Sequence, residues 1–385
     1  MKHPLFNPST VADLDVPMFA PHTVTNPASV GKLFEISPPE HDPLRIFGLP
    51  KKLRFEFHIL TKPYTVMRQV TQDAIKLLTK AKNQSSLESR VVLTGHAGCG
   101  KSFLLLQAVE HCARDGWVVI YVPRAINLVN STTPYIYDLR TQTYLQPAFS
   151  FQTLQRMLTV NQKALSNIPL VEDLVLDKQT VPKGTPLTRV IEIAMAERAR
   201  TMAQSPLVLD AVMRSLDQQE AYPVLLAVDE FHSLYGQTKY RDPQFQHIQS
   251  YHLSLPRLIM EYASGRRSFA RGAVLGALSV SQTHHPLPLE LRDALQLDNL
   301  AAFPASPFQK RNRDMLVYTE GLKKLELPEK FTLEEAVGVF DLWKGRNVIG
   351  RDGYFYDEAF LGKYTESCGN PRDFVWKGLI GSLDA

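Results

Sequence analysis

Short, nearly all-apolar runs alternate with amphipathic stretches along most of this chain. RVVLT (90–94), WVVIYV (117–122), PVLLAVDE (223–230) and AVLGALSVS (273–281) each read as a strand buried on both faces. KPYTVMRQVTQDAIKLLTKAK (62–82) and SFLLLQAVEHCAR (102–114) carry helical periodicity, and 186–219 reads as two helices divided at Pro206. An irregular stretch follows at 128–149, then a helix from about Ser150, and another helix is expected near 244–263. Strands alternating with helices predict an α/β fold with a doubly wound, mostly parallel sheet. Beyond about residue 305 the pattern turns helical. The expected organisation is an extended N-terminal arm (1–60), an α/β domain (61–304) and a mainly helical C-terminal lid domain (305–385).

The arm is a different material. It holds Pro4, Pro8, Pro17, Pro21, Pro27, Pro38, Pro39, Pro43 and Pro50 with scattered aromatics and no helical period. Such a segment is expected to be extended, either disordered or laid along a partner. Its first arginine is Arg45, so it does not resemble an Arg-rich amphipathic transit peptide.

The chemistry enters at GHAGCGKS (95–102), which is G-x-x-x-x-G-K-[ST] placed between an apolar strand and a helix. Glycines let a loop take positive φ and bring backbone N–H groups close to a phosphate, and the helix N-terminus adds roughly +0.5 charge. The expected nucleotide-binding set is Gly95, His96, Ala97, Gly98, Cys99, Gly100, Lys101, Ser102 and Phe103. Within it Lys101 reaches the β- and γ-phosphates and the Ser102 hydroxyl binds Mg²⁺. The second acid-bearing element, PVLLAVDE, ends at the sheet edge where ligands of open α/β folds bind. Asp229 is read as a metal contact, direct or through water, and Glu230 as the group that would activate an attacking water.

Several phosphate-loop classes fit such a pair. A small GTPase-like switch requires N-K-x-D after the aspartate-bearing strand, and no such string occurs. A metabolic kinase needs neither the acid pair nor a helical lid. An AAA+-type domain suits both, with Ser281 (Ser279 second) as the polar strand tip that senses a γ-phosphate. In SCGNPRDF (367–374), Arg372 stands where a lid arginine would reach the phosphates.

VVLTGHAGCGKSFLLLQAV, VIYVPRAINLVNSTTPY, LLAVDEFHSLYGQTKYRD, GAVLGALSVSQT and the late GNPR together resemble the death-associated protein 3 family, over roughly residues 55–385 and in a fungal form. The resemblance implies a structural component of the mitochondrial ribosome's small subunit, in the matrix. It implies contacts with small-subunit ribosomal RNA, with neighbouring ribosomal proteins and, through intersubunit bridges, with the large subunit; no membrane insertion is expected, because no apolar run approaches the roughly 18 residues needed to span a bilayer. It also implies a bound purine nucleotide, GTP or ATP, with Mg²⁺. It carries over Gly95, Gly100, Lys101 and Ser102 as phosphate and metal contacts, and Asp229 as a metal contact.

Charge adds RNA candidates. The net charge of +4 is mild, so any polyanion contact must be local. Basic residues group at Lys51, Lys52 and Arg54, at Arg266, Arg267 and Arg271, and at Lys310, Arg311 and Arg313, beside Phe55, Phe269 and Phe308. Cations neutralise phosphates and aromatics stack on exposed bases. Two functions of different kind remain open at this point. In one the nucleotide is a ligand that holds a ribosomal protein in shape. In the other the chain is a working ATPase or GTPase, of AAA+ or signalling type, whose hydrolysis drives a partner. Cys99, Cys112 and Cys368 lie far apart and form no disulfide framework or metal-ligand spacing.

Overall fold

The computed structural model describes residues 14–36, 42–176, 179–196, 202–280, 285–297, 306, 308–346 and 356–381. Its centre is a five-stranded sheet of β1 (Arg90–Thr94), β2 (Val118–Val122), β3 (Val224–Val228), β4 (Gly272–Ala277) and β5 (Lys323–Glu326). The spatial order is β5-β1-β4-β3-β2 and every neighbouring pair is parallel. Among the described residues the longer helices are α1 (Lys51–Ile59), α2 (Gln69–Ala81), α3 (Lys101–Arg114), α4 (Pro147–Leu165), α5 (Leu187–Met195), α6 (Ser205–Gln218), α7 (Ser254–Ser264), α8 (Leu333–Gly345) and α9 (Tyr356–Glu366).

β1 to β4 are largely apolar because helices cover both faces, and the period of two divides their side chains between two cores. Val118, Ile120, Val122, Val224, Leu226, Val228 and Val274 pack with residues of α4, α5, α6 and α7. The alternate positions Val119, Tyr121, Leu225, Ala227, Ala273 and Leu275 pack with residues of α2 and α3. A third cluster joins Ile59, Leu60, Tyr64 and Val66 to Phe331, Phe340, Trp343 and Phe374 of the C-terminal layer.

Four expectations need adjustment. The helix expected over 62–82 begins only at Gln69, because Tyr64–Val66 is a strand paired antiparallel with Leu33–Glu35. The irregular stretch 128–149 contains a hairpin, Ile136–Asp138 with Thr143–Leu145. The helix expected near 244–263 starts at Ser254. The mainly helical region after 305 contributes β5, whose sequence KKLE is polar because it is the sheet's edge, where charged side chains suit one open flank.

The N-terminal segment is the largest difference. Where an extended arm was expected, the chain forms short helices at Pro21–Val24 and Pro43–Phe47 and then α1. Phe19, Val24, Phe34, Ile36, Leu44 and Phe47 are buried in the core shared with α2 and α3. These side chains have no period because each fills a separate place on a surface the later chain supplies. Residues 1–13 and 37–41 lie outside the described residues.

Candidate functional site

The loop between β1 and α3 is shaped by its glycines. Gly95, Gly98 and Gly100 have φ of +131°, +85° and +99°. A Cβ on Gly98 would stand 2.4 Å from Asn370 Oδ1, so the position excludes side chains twice over. Lys101 is buried and its ammonium is folded into the loop, donating to Gly95 O at 2.7 Å and His96 O at 2.7 Å, with Cys99 Sγ at 3.5 Å. Burial lowers its pKa, and the nearby Arg372 charge adds to that lowering. Two cations therefore face one space, an arrangement that a polyanion would relieve.

Ser102 leads out of the loop and its hydroxyl donates to Asp229 Oδ1 at 3.1 Å, joining the two elements read from sequence. The Glu230 backbone N–H donates to the same oxygen at 2.8 Å. Burial nonetheless pushes the Asp229 carboxyl up to about 7. A carboxylate that is costly to ionise, beside a hydroxyl, fits a divalent cation, which would favour the charged form. Two protein oxygens suit Mg²⁺ in particular, since it keeps several waters. Glu230 takes the left-handed conformation at φ 57°, ψ 34°, and its carboxylate stands 3.7 Å from Arg124 Nε.

The C-terminal layer reaches back to this loop. Asn370 Nδ2 donates to Ala97 O at 3.0 Å and the Arg372 backbone N–H donates to Gly98 O at 3.1 Å. The Arg372 side chain pairs with Asp373 and borders the same cavity as Lys101. From below, Arg68 donates to Cys99 O at 2.7 Å and pairs with buried Glu335 at 3.1 Å. Ser279 donates its backbone N–H to His232 Nδ1 at 3.3 Å. Burial holds that imidazole down at about 4, so it is neutral at pH 7 and able to accept. Ser281 lies outside the described residues.

A cavity of about 490 Å³ runs from Gly98–Phe103, Asp229 and Glu230 to an apolar end bordered by Phe57, Val375 and Trp376. Phe57 meets Phe103 edge to face at 6.4 Å. Glu56, which accepts from Trp376 Nε1, is pushed up to about 7, chiefly by burial. The space has the size of a small-ligand pocket, with Lys101 and Arg372 at the loop end and, at the other, aromatic rings together with Lys52 and Glu56.

Sequence reading missed Arg68, Arg124, Glu335, Asn370 and Trp376. Only Arg124 carried a local signal, since it follows the end of β2 directly. Arg68 precedes Cys99 of the loop by 31 positions, and Glu335, Asn370 and Trp376 arrive from more than two hundred positions away.

The basic clusters separate. Arg267 is held by Asp210 at 2.7 Å and Asp217 at 3.0 Å and lies over the Tyr262 ring, so the fold uses it. Phe269 is fully buried and stacked on Tyr262 at 4.4 Å, which leaves no ring face for a base. Arg271 donates to Lys82 O and Glu220 O, and Arg266 lies over Tyr318. Arg311 pairs with Asp293 at 2.9 Å. Lys52 lies over Trp376, beside exposed Lys51, Arg54 and Phe55. Lys310, Arg313 and the 92% exposed Phe308 are left on the surface. Among the described residues no helix is long and apolar enough to cross a membrane.

The family model described as mitochondrial ribosomal death-associated protein 3 matches residues 65–376. The chain is 26% identical to the small ribosomal subunit protein mS29 of Neurospora crassa over 335 residues, covering 85% of this chain and 68% of that one. It is 25% identical to the mS29 protein of Schizosaccharomyces pombe over 362 residues, covering 92% and 72%. With the mS29 protein of Mus musculus it shares 28% over 285 residues, covering 70% of each.

Proposed function

Since the chain belongs to the mitochondrial ribosomal death-associated protein 3 family and is a small-subunit protein of the mitochondrial ribosome, we propose that its glycine loop holds a purine nucleotide, GTP or ATP, as a ligand that stabilises the fold. The carrying observation is the convergence of Lys101, Arg372 and the Ser102–Asp229 pair on one cavity with an aromatic far end. In this reading the fold is of the P-loop, AAA+-like type. The strand order supports it, because β4 separates the loop-bearing β1 from the acid-bearing β3.

Ser102 and Asp229 would hold Mg²⁺, which supplies positive charge against the phosphates. The protein's own part is positional. Loop N–H groups and the N-terminus of α3 face the anion, Lys101 leaves its loop carbonyls to meet it, and Phe57, Phe103 and Trp376 line the space for the base. The ligand then braces the loop against the C-terminal layer through Asn370 and Arg372. Ribosomal RNA is met by Lys51 and Arg54 or by Lys310 and Arg313, the exposed members of the basic clusters, while ribosomal proteins of the same subunit and the intersubunit bridges supply the remaining contacts. Equilibrium titration with GTP and ATP, with and without Mg²⁺, tests the reading. Submillimolar binding that Lys101→Ala removes supports it, and binding indifferent to Lys101 refutes it.

A further inference from the structure

Lys101, Arg124 and Arg372 border the loop end of the cavity, and each already has an occupation. Lys101 is bonded to loop carbonyls and Arg372 is paired with Asp373. Arg124 faces Glu230, the acid that sequence reading placed as the general base. This last pairing is built into the sheet. β2 and β3 are neighbours with Val122 opposite Val228, and the same register carried two residues further sets Arg124 opposite Glu230. Two backbone bonds lock the ends together: Asp229 N–H to Val122 O at 2.9 Å and Ala125 N–H to Asp229 O at 3.1 Å.

The Glu230 backbone is fixed at the end of β3. Its own N–H is held by Asp229, and its carbonyl accepts from both the Ser233 N–H at 3.0 Å and the Ser233 hydroxyl at 2.8 Å. Its left-handed backbone, which costs a non-glycine residue ~1–2 kcal/mol, is kept by these bonds. The side chain it projects is 11% exposed, against 47% for that of Arg124.

Resting on the nucleotide reading above, we propose that Arg124 is a positioning residue that ties up the Glu230 carboxylate, so that a bound nucleoside triphosphate is kept and not cleaved. In hydrolysis the water oxygen would bond to the γ-phosphorus. The bond from that phosphorus to the β,γ-bridging oxygen would break, its electron pair leaving on the diphosphate, while the water's proton passed to Glu230. A general base does this only with an oxygen lone pair aimed at the water at about 2.6–3.2 Å. At 3.7 Å the Arg124 guanidinium acts by charge and not through a hydrogen bond, drawing the carboxylate toward the end of β2.

The fold does not need this ion pair. With one partner half exposed it is worth about 0–1 kcal/mol, so removing it changes rate without unfolding the chain. The test uses the purified full chain with saturating GTP or ATP and Mg²⁺, measuring phosphate release and nucleotide affinity side by side. Arg124→Gln is expected to raise release by about 10²-fold, the lower end of what a general base contributes, with affinity and melting temperature close to wild type. Arg124→Lys should keep much of the restraint. Adding Glu230→Gln to Arg124→Gln should return release to the low rate.

Release unchanged or slower in Arg124→Gln, with affinity retained, overturns the proposal. Loss of affinity in that variant also overturns it, because Arg124 would then be a phosphate contact. A wild-type chain that binds neither nucleotide overturns the site reading and the proposal with it.

Discussion

Ser102 Oγ lies 3.1 Å from Asp229 Oδ1, so two residues 127 positions apart in sequence share one proton donor at the mouth of the cavity. Asp229 is the acceptor, and its burial makes ionisation expensive. A carboxyl moved from 3.8 to about 7 favours the folded state at low pH, and this contribution is lost as pH rises from 4 to 7. At pH 8 the ionised group costs the free protein up to ~4 kcal/mol. Asp229→Asn is therefore expected to raise the melting temperature of the nucleotide-free chain at pH 8 and to change it little at pH 4. The same variant should lose the added stabilisation given by Mg²⁺ with nucleotide. Thermal melts at both pH values check each part.

Lys101→Ala is expected to erase most of the nucleotide-induced gain in stability. A ligand at about 100 times its Kd adds ~2.7 kcal/mol to the folded state, and in the proposed site the lysine supplies a charged contact to its phosphates. Melting curves with and without saturating nucleotide, compared for wild type and variant, measure the loss. Equal ligand-induced shifts in both proteins would count against the site.

Arg68→Ala is expected to destabilise the chain by about 3 kcal/mol, because it leaves Glu335 buried without its partner and frees Cys99 O. Arg68→Ala with Glu335→Gln should recover part of that loss, since the stranded charge is gone. Denaturant unfolding of the single and double variants measures both. A double variant no better than the single one would show that the contacts to the loop dominate.

Arg267→Ala is expected to cost about 2 kcal/mol in stability, because it removes the charged donor shared by Asp210 and Asp217, which keep only Arg214 and the Tyr262 hydroxyl as partners. Neutralising Lys310 and Arg313 together should leave stability within ~0.5 kcal/mol and reduce the salt dependence of RNA binding. Unfolding curves and RNA titrations over a range of salt separate the two roles.

Much of the sheet was legible because buried parallel strands leave dense apolar runs. β1 in RVVLT and the first five residues of PVLLAVDE after its proline fall where the sequence reading put them. The loop was legible because its chemistry is local, eight residues between a strand and a helix. β5 was hidden by its lysines, which belong to an edge. The N-terminal segment was hidden for a different reason. Phe19 and Phe34 stack edge to face at 6.5 Å within a core built mostly by other segments, and no periodicity records that. Arg68, Asn370 and Glu335 complete the site across gaps that only the folded chain closes. Arg267 and Phe269 show the converse: a basic–aromatic cluster that looks like an RNA contact is spent on internal packing.

Phe34→Ala follows from that packing and is expected to cost about 3–5 kcal/mol, as for other buried aromatics. It should also make residues 14–36 sensitive to limited proteolysis, while the intact chain resists cutting there.

The bonds from Asn370 and Arg372 to Ala97 O and Gly98 O give the loop a dependence on the far end of the polypeptide. A copy cut short before Asn370 would retain all of GHAGCGKS yet lack the two donors that shape its middle. If the loop holds a nucleotide as proposed, such a copy would hold it less well than the full chain although its glycine motif is intact.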